Sequence, residues 1–130
     1  MMTIKNTLGT ILASTMLLAG CQYQQPEYVR SITPSELRAL MQLEDVFLVD
    51  VHTPEQRHIR NTDAFVPYDQ VGRYRDRFPG DPSTPIYLYC ESGGMANAAA
   101  RTLHEFGYRN LFNLSGGAAA WRAAGYELDG

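Results

Sequence analysis

A chain of 130 residues holds one domain, and 45% apolar side chains is the composition of an ordinary globular fold rather than of a disordered or bilayer-embedded chain. Fourteen acids against 11 bases, a net charge of −3, exclude the strongly basic profile of a nucleic-acid binder. No internal repeat or low-complexity tract points to a solenoid or a second domain.

The first element is an apolar run from Leu8 to Ala19 behind Lys5, too short to span a bilayer and of the right length for a signal-peptide core. It ends in Leu18-Ala19-Gly20-Cys21, which resembles the lipobox of bacterial lipoproteins, where the signal is removed and the cysteine becomes the acylated first residue. On that resemblance residues 1–20 are a signal peptide, Cys21 is the lipidation site, residues 21–27 are a tether and residues 28–130 are the folded domain. Two or more acyl chains, at about 0.8 kcal/mol per buried CH₂, would anchor such a chain stably to a membrane. Gln22 differs from the aspartate that retains Gram-negative lipoproteins at the inner membrane. The expected location is therefore the cell envelope, on the outer membrane facing the periplasm if the cell is Gram-negative. An uncleaved apolar anchor, or a plain secretory signal with Cys21 a bystander, is the alternative. Acylation would make the Cys21 sulfur a thioether and leave Cys90 as the one free thiol of the mature chain. That argues against a dithiol oxidoreductase.

In the mature region, Thr33-Pro34-Ser35-Glu36 combines an N-cap, a proline at the first helical position and a capping-box glutamate, predicting a helix through about Leu43. Val46-Phe47-Leu48-Val49, closed by Asp50, is continuously apolar, as in a parallel strand covered on both faces. Thr53-Pro54-Glu55-Gln56 repeats the capping pattern and predicts a short helix to about Ile59. Ala64–Val66 reads as a strand, Asp69 to about Arg77 as a helix, and Pro79–Pro82 as a turn. The basic cluster Arg73-Tyr74-Arg75-Asp76-Arg77 reads as a solvated helix face rather than a binding patch. Pro85–Tyr89 predicts a buried strand in which Tyr87 and Tyr89 pack. Glu91–Met95 predicts a tight loop and Ala96–Phe106 a helix ended by Gly107. Leu111–Leu114 is a last strand, and Ala118–Ala124 a last helix before Gly125. Strands alternating with helices imply an α/β domain with a mostly parallel sheet and helices on both faces.

Ligands of such sheets bind beyond the carboxyl ends of the strands, where Cys90 and Asp50 both fall. Cys90 sits between a strand and a helix N-terminus, whose free N–H groups and dipole favour a thiolate or a bound oxyanion. His52, His58 and His104 lack metal-ligand spacing, so no metal is expected, and no cofactor is implied.

Asp50-Val51-His52-Thr53-Pro54-Glu55, His58-Ile59, Tyr89-Cys90-Glu91-Ser92-Gly93-Gly94 and Leu114-Ser115-Gly116-Gly117 with Trp121 together resemble a single-domain rhodanese over about residues 28–127. The resemblance implies a five-stranded, mostly parallel sheet and a sulfurtransferase or persulfide carrier. In it, Cys90 takes a sulfane sulfur from thiosulfate, a polysulfide or a persulfide, and passes it to a thiol or a cyanide-like acceptor. Backbone N–H groups of Glu91, Ser92, Gly93, Gly94 and Met95 would cradle the persulfide, with Gly93 and Gly94 letting the chain turn inward. Asp50 and His58 would support the site, Asp50 by capping or bracing the active loop, and Trp121 would be a core or pocket-wall aromatic. Cysteine phosphatases and arsenate reductases use a longer loop closed by an arginine, whereas the sixth residue after Cys90 is Ala96.

Two positions depart from the rhodanese pattern: Met95 stands where thiosulfate sulfurtransferases commonly carry an arginine, and His52 where an arginine follows Asp-Val. Losing a charge-assisted contact to a dianion costs about 1.5–3 kcal/mol, and Glu91 adds a negative charge near the mouth. Weak thiosulfate use is the expectation. The alternative is a catalytically impaired rhodanese-like module that binds a partner at the envelope; the sequence names no protein partner.

Overall fold

The computed structural model describes residues 25–130; the expected signal peptide, Cys21 and the start of the tether lie outside the described residues. Five strands form one sheet in the order β1-β5-β4-β2-β3, with every pairing parallel. They are β1 (Val29–Ile32), β2 (Phe47–Asp50), β3 (Ala64–Phe65), β4 (Ile86–Tyr89) and β5 (Leu111–Leu114). The helices are α1 (Pro34–Leu43), α2 (Gly94–Glu105) and α3 (Gly117–Ala123). β4 is central, and all four of its residues are buried.

Alternation along β2 and β4 divides the core. Val49, Ile86 and Leu88 face α2 through Ala96, Ala99, Ala100 and Leu103. Leu48, Tyr87 and Tyr89 face the other side, with Leu37 of α1 and Ala118 and Trp121 of α3. Helices thus cover both faces, and each buried Leu or Val contributes about 1.5–3 kcal/mol. The three buried alanines of α2 let that helix lie close on β4 and so bring its N-terminus to the strand's carboxyl end. Helix α1 starts as its sequence predicts: Thr33 Oγ1 accepts the Glu36 N–H at 3.2 Å, and Pro34 opens the helix.

Two expected helices do not form. Over Thr53–Ile59 side chains take the backbone groups that a helix needs: Asp50 Oδ1 accepts the His52 N–H at 2.9 Å, the His52 ring donates to Pro54 O at 2.7 Å, and the Tyr89 hydroxyl accepts the Ile59 N–H at 2.9 Å. Tyr89 is thus more than packing, since its hydroxyl also meets Thr62 Oγ1 at 2.8 Å. Asp69–Arg77 is a run of turns ending in a 3₁₀ turn at Arg75–Arg77, with Arg73 N bonded to Gln70 O and Arg77 N to Tyr74 O. Only Val71, among Asp69–Arg77, is buried, too little apolar surface to hold a longer helix. The basic cluster is spent on aromatic rings: Arg77 lies over Tyr74 at 4.3 Å and Arg75 over Phe106 at 4.5 Å. β1 has no counterpart among the strands expected from the sequence, because Arg30 and Ser31 interrupt its apolar pattern; its pairing with β5 defines it.

Candidate active site

Cys90 follows β4 directly and is 2% exposed. Gly93 turns the chain at φ +128°, a conformation that glycine adopts without strain, and its N–H points back at Cys90 Sγ at 3.0 Å. Among the described residues it is the one N–H of the expected cradle that meets the sulfur. Helix α2 begins at Gly94, two residues earlier than its sequence predicts, so the loop proper is Cys90–Gly93. Met95 belongs to the first helical turn and packs against the α2 side of the core.

The loop is held from behind by segments far along the chain. Ala118 N–H donates to Cys90 O at 2.8 Å and Ala119 N–H to Glu91 O at 3.1 Å. These bonds need the backbone of α3 pressed against the loop, and Gly117 permits it: a Cβ there would lie 2.4 Å from Cys90 O. On the β5 side, Asn113 Nδ2 donates to Gly93 O at 3.0 Å and to Asn97 Oδ1 at 2.9 Å. Asn113 Oδ1 has no partner among the described residues. A buried acceptor left bare costs about 1–3 kcal/mol.

Glu91 does not stand as a free anion. Arg122 of α3 grips both of its carboxylate oxygens, and that hydrogen bonding holds the carboxyl below its usual range against a smaller opposing effect of burial. Arg101 is exposed on α2. Trp121 is buried and donates to Glu127 O at 3.0 Å, a core role, while His104 stacks on Tyr28 at 4.0 Å. No group of three or more metal-ligating side chains occurs among the described residues.

Asp50 braces the loop after β2 rather than the cysteine loop itself. Besides the His52 N–H it meets His58 Nδ1 at 2.7 Å, and Glu55 meets His58 Nε2 at 2.8 Å. Burial lowers the His58 pKa, but the hydrogen bonds to Glu55 and Asp50, with their charges, outweigh it and raise it above the ordinary 6.5. Because the folded value exceeds the unfolded one, the clamp's stabilisation is fully present below the unfolded pKa and is lost as pH rises through the folded one. Melting from about pH 5.5 to pH 8.5 is expected to show a decline in Tm that His58→Gln removes. An unchanged slope in the variant would mean that the clamp contributes nothing.

A buried cysteine at the end of the central parallel strand, its sulfur on a loop N–H at a helix N-terminus, defines a cysteine-loop α/β domain. The chain belongs to the rhodanese-like domain family, which matches residues 33–124. It is 31% identical over 108 residues to the uncharacterized protein YqhL of Bacillus subtilis, covering 81% of each chain. It is 30% identical to the thiosulfate sulfurtransferase GlpE of Actinobacillus succinogenes, over 75% of this chain and 88% of that one. A sulfurtransferase of Allochromatium vinosum is 34% identical over 68% and 83% respectively. Among solved structures, a rhodanese-like domain protein of Staphylococcus aureus superposes with a TM-score of 0.65 at 28% identity, covering 78% of this chain and 99% of that one.

Proposed function

We propose that the chain is a rhodanese-type sulfurtransferase or persulfide carrier working through Cys90. The observation that carries the reading is the 3.0 Å contact of the Gly93 N–H with Cys90 Sγ at the start of α2, which places a donor and the positive end of a helix dipole where negative sulfur must be held. The Cys90 thiolate attacks the outer sulfur of the donor. A new S–S bond forms as the donor's bond breaks, and the leaving group departs with the electron pair, as sulfite when the donor is thiosulfate. An acceptor thiolate or cyanide then attacks the terminal sulfur, and Cys90 leaves as the thiolate. Gly93 orients the N–H, Asn113 fixes the Gly93 carbonyl, and the α3 N–H groups keep the loop carbonyls turned away from the sulfur.

Intact-mass spectrometry after exposure to polysulfide tests the reading. A gain of one sulfur atom at Cys90 is expected; no gain with any sulfane donor would leave the impaired binding module as the function. Thiosulfate is expected to be a weak donor, since apolar Met95 occupies the first turn of α2 and the Glu91–Arg122 pair is internally neutralised. Met95→Arg should raise kcat/KM for thiosulfate by about tenfold or more, the lower end of what a charge-assisted contact contributes. No gain would show that something other than the missing cation limits the reaction. The lipobox supports acylation of Cys21 and anchoring at the cell envelope; acyl labelling that persists in Cys21→Ser would refute it.

A further inference from the structure

We propose that the cavity of about 660 Å³ at the amino ends of β2 and β4 docks a basic segment of a partner protein, seating an arginine or lysine head among three carboxylates. It lies at the opposite end of the strands from Cys90, so the assignment is independent of the chemistry there. Its acids are Glu44, Asp45 and Asp63, and no basic side chain lines it. The ion pairs of the described residues, His58 with Asp50 and Glu55, Arg60 with Glu127 and Arg122 with Glu91, leave all three acids unpaired. Helix α1 adds to their field: its last turn holds no basic residue and Glu44 caps it, so a carboxylate stands at the negative end of the helix dipole, where a cation is favoured. Asp63 is fixed in place, its Oδ2 accepting the Leu48 N–H at 2.8 Å.

Tyr87 points to a ligand independently of these charges. Its side chain is 6% exposed and lines the cavity, yet its hydroxyl meets no hydrogen-bond partner among the described residues. Unlike Asn113 Oδ1, which is fully buried, the hydroxyl keeps accessible surface. The ring is held in place: it stacks on Phe112 at 4.6 Å, and Arg30 of β1 lies over Phe112 at 4.4 Å. Burial, and after it the charge of Glu44, push the Tyr87 hydroxyl pKa up against an opposing effect of Arg30. The group therefore stays protonated and presents an oxygen that accepts an N–H. Apolar surface around these polar groups favours a polypeptide over a free amine. Met41, Val46 and Pro85 line the walls, and Leu43, beside Glu44 in the chain, is 83% exposed. A cavity within the range of about 300–1,000 Å³ that takes drug-sized molecules exceeds one cationic head. The alkyl stem of an arginine or lysine, with an apolar neighbour in its segment, covers the remainder.

Titration of the full-length chain with three probes, followed by nuclear magnetic resonance, tests the assignment. The peptide acetyl-Leu-Arg-Arg-Leu-amide is expected to shift the Tyr87 ring and Asp63 backbone resonances saturably, and its counterpart acetyl-Leu-Glu-Glu-Leu-amide to leave them unmoved. Agmatine, a guanidinium on an alkyl stem with no polypeptide, should half-saturate only at about tenfold higher concentration. Tyr87→Phe keeps the stack on Phe112 and removes the acceptor, while Asp63→Asn keeps an acceptor for the Leu48 N–H and removes the charge. Each should raise the half-saturating concentration of the arginine peptide about fivefold or more. Glu44→Gln, at an exposed carboxylate that no ion pair of the fold uses, should do the same and keeps the test open if either of the other variants fails to fold. No saturable shift with the arginine peptide, equal shifts with the glutamate peptide, or binding that none of the folded variants weakens overturns the proposal. Agmatine binding as tightly as the peptide overturns the polypeptide occupant and leaves a site for a free amine.

Discussion

Cys90→Ser is expected to form no persulfide and to lose sulfur transfer by on the order of 10⁴-fold or more, because the two-step route through a covalent intermediate disappears with the nucleophile. The hydroxyl is smaller and far less acidic than the thiol, yet it can still accept the Gly93 N–H, so the loop keeps its shape. Tm should therefore move by no more than about 5 °C, the effect of roughly 1 kcal/mol in a domain of this size. Intact mass after polysulfide treatment, steady-state transfer to a thiol and a thermal melt check the three parts. Sulfur gained by the serine variant would place the chemistry on some other group. A collapse of Tm would mean that the cysteine's role is to fill the core beside Val51 and Leu88.

Gly117→Ala is expected to destabilise the domain by about 3 kcal/mol, combining about 1–2 kcal/mol for a left-handed L-residue with about 1–3 kcal/mol of overpacking. At φ +59° the new methyl would stand 2.4 Å from Cys90 O and 2.6 Å from the Glu91 carbonyl carbon. Those neighbours are backbone and cannot swing aside. Relief comes only by parting α3 from the loop, which breaks the Ala118 and Ala119 hydrogen bonds to Cys90 O and Glu91 O. Tm should fall by at least 10 °C or so, and persulfide formation should fall with it. Gly125→Ala is the control: φ is +79° with nothing within 4 Å of the added carbon, so only the backbone strain applies. Equal losses in the two variants would mean that the close approach at Gly117 carries no weight.

The fold was legible where local rules and burial agree. The continuous apolar runs Val46–Val49 and Ile86–Tyr89 fall in strands covered on both faces, and Thr33-Pro34-Ser35-Glu36 caps a helix as its chemistry requires. The same capping pattern at Thr53-Pro54-Glu55-Gln56 misleads, because Asp50 and Tyr89 claim the nearby N–H groups from outside the segment. Glu91 was legible as a charge near the cysteine but not as a neutralised one, since its partner Arg122 lies 31 residues away. Asn113 carried no signal at all: one asparagine in an apolar strand reads as a tolerated polar residue until the fold sets it against Gly93.

The sequence by itself determined that Cys90 stands between a buried strand and an alanine-rich helix, and that no lysine or arginine follows it before Arg101. Those features depend on neighbours within a few positions, where periodicity and turn chemistry speak directly. Tertiary structure alone decided how the loop is held: Gly117 pressed against the Cys90 carbonyl, Asn113 on the Gly93 carbonyl and Arg122 on Glu91. These contacts join β4, β5, α2 and α3 across 20 to 31 residues of chain. They exist because parallel pairing brings the carboxyl ends of β4 and β5 side by side, a consequence of packing that no local window of sequence contains.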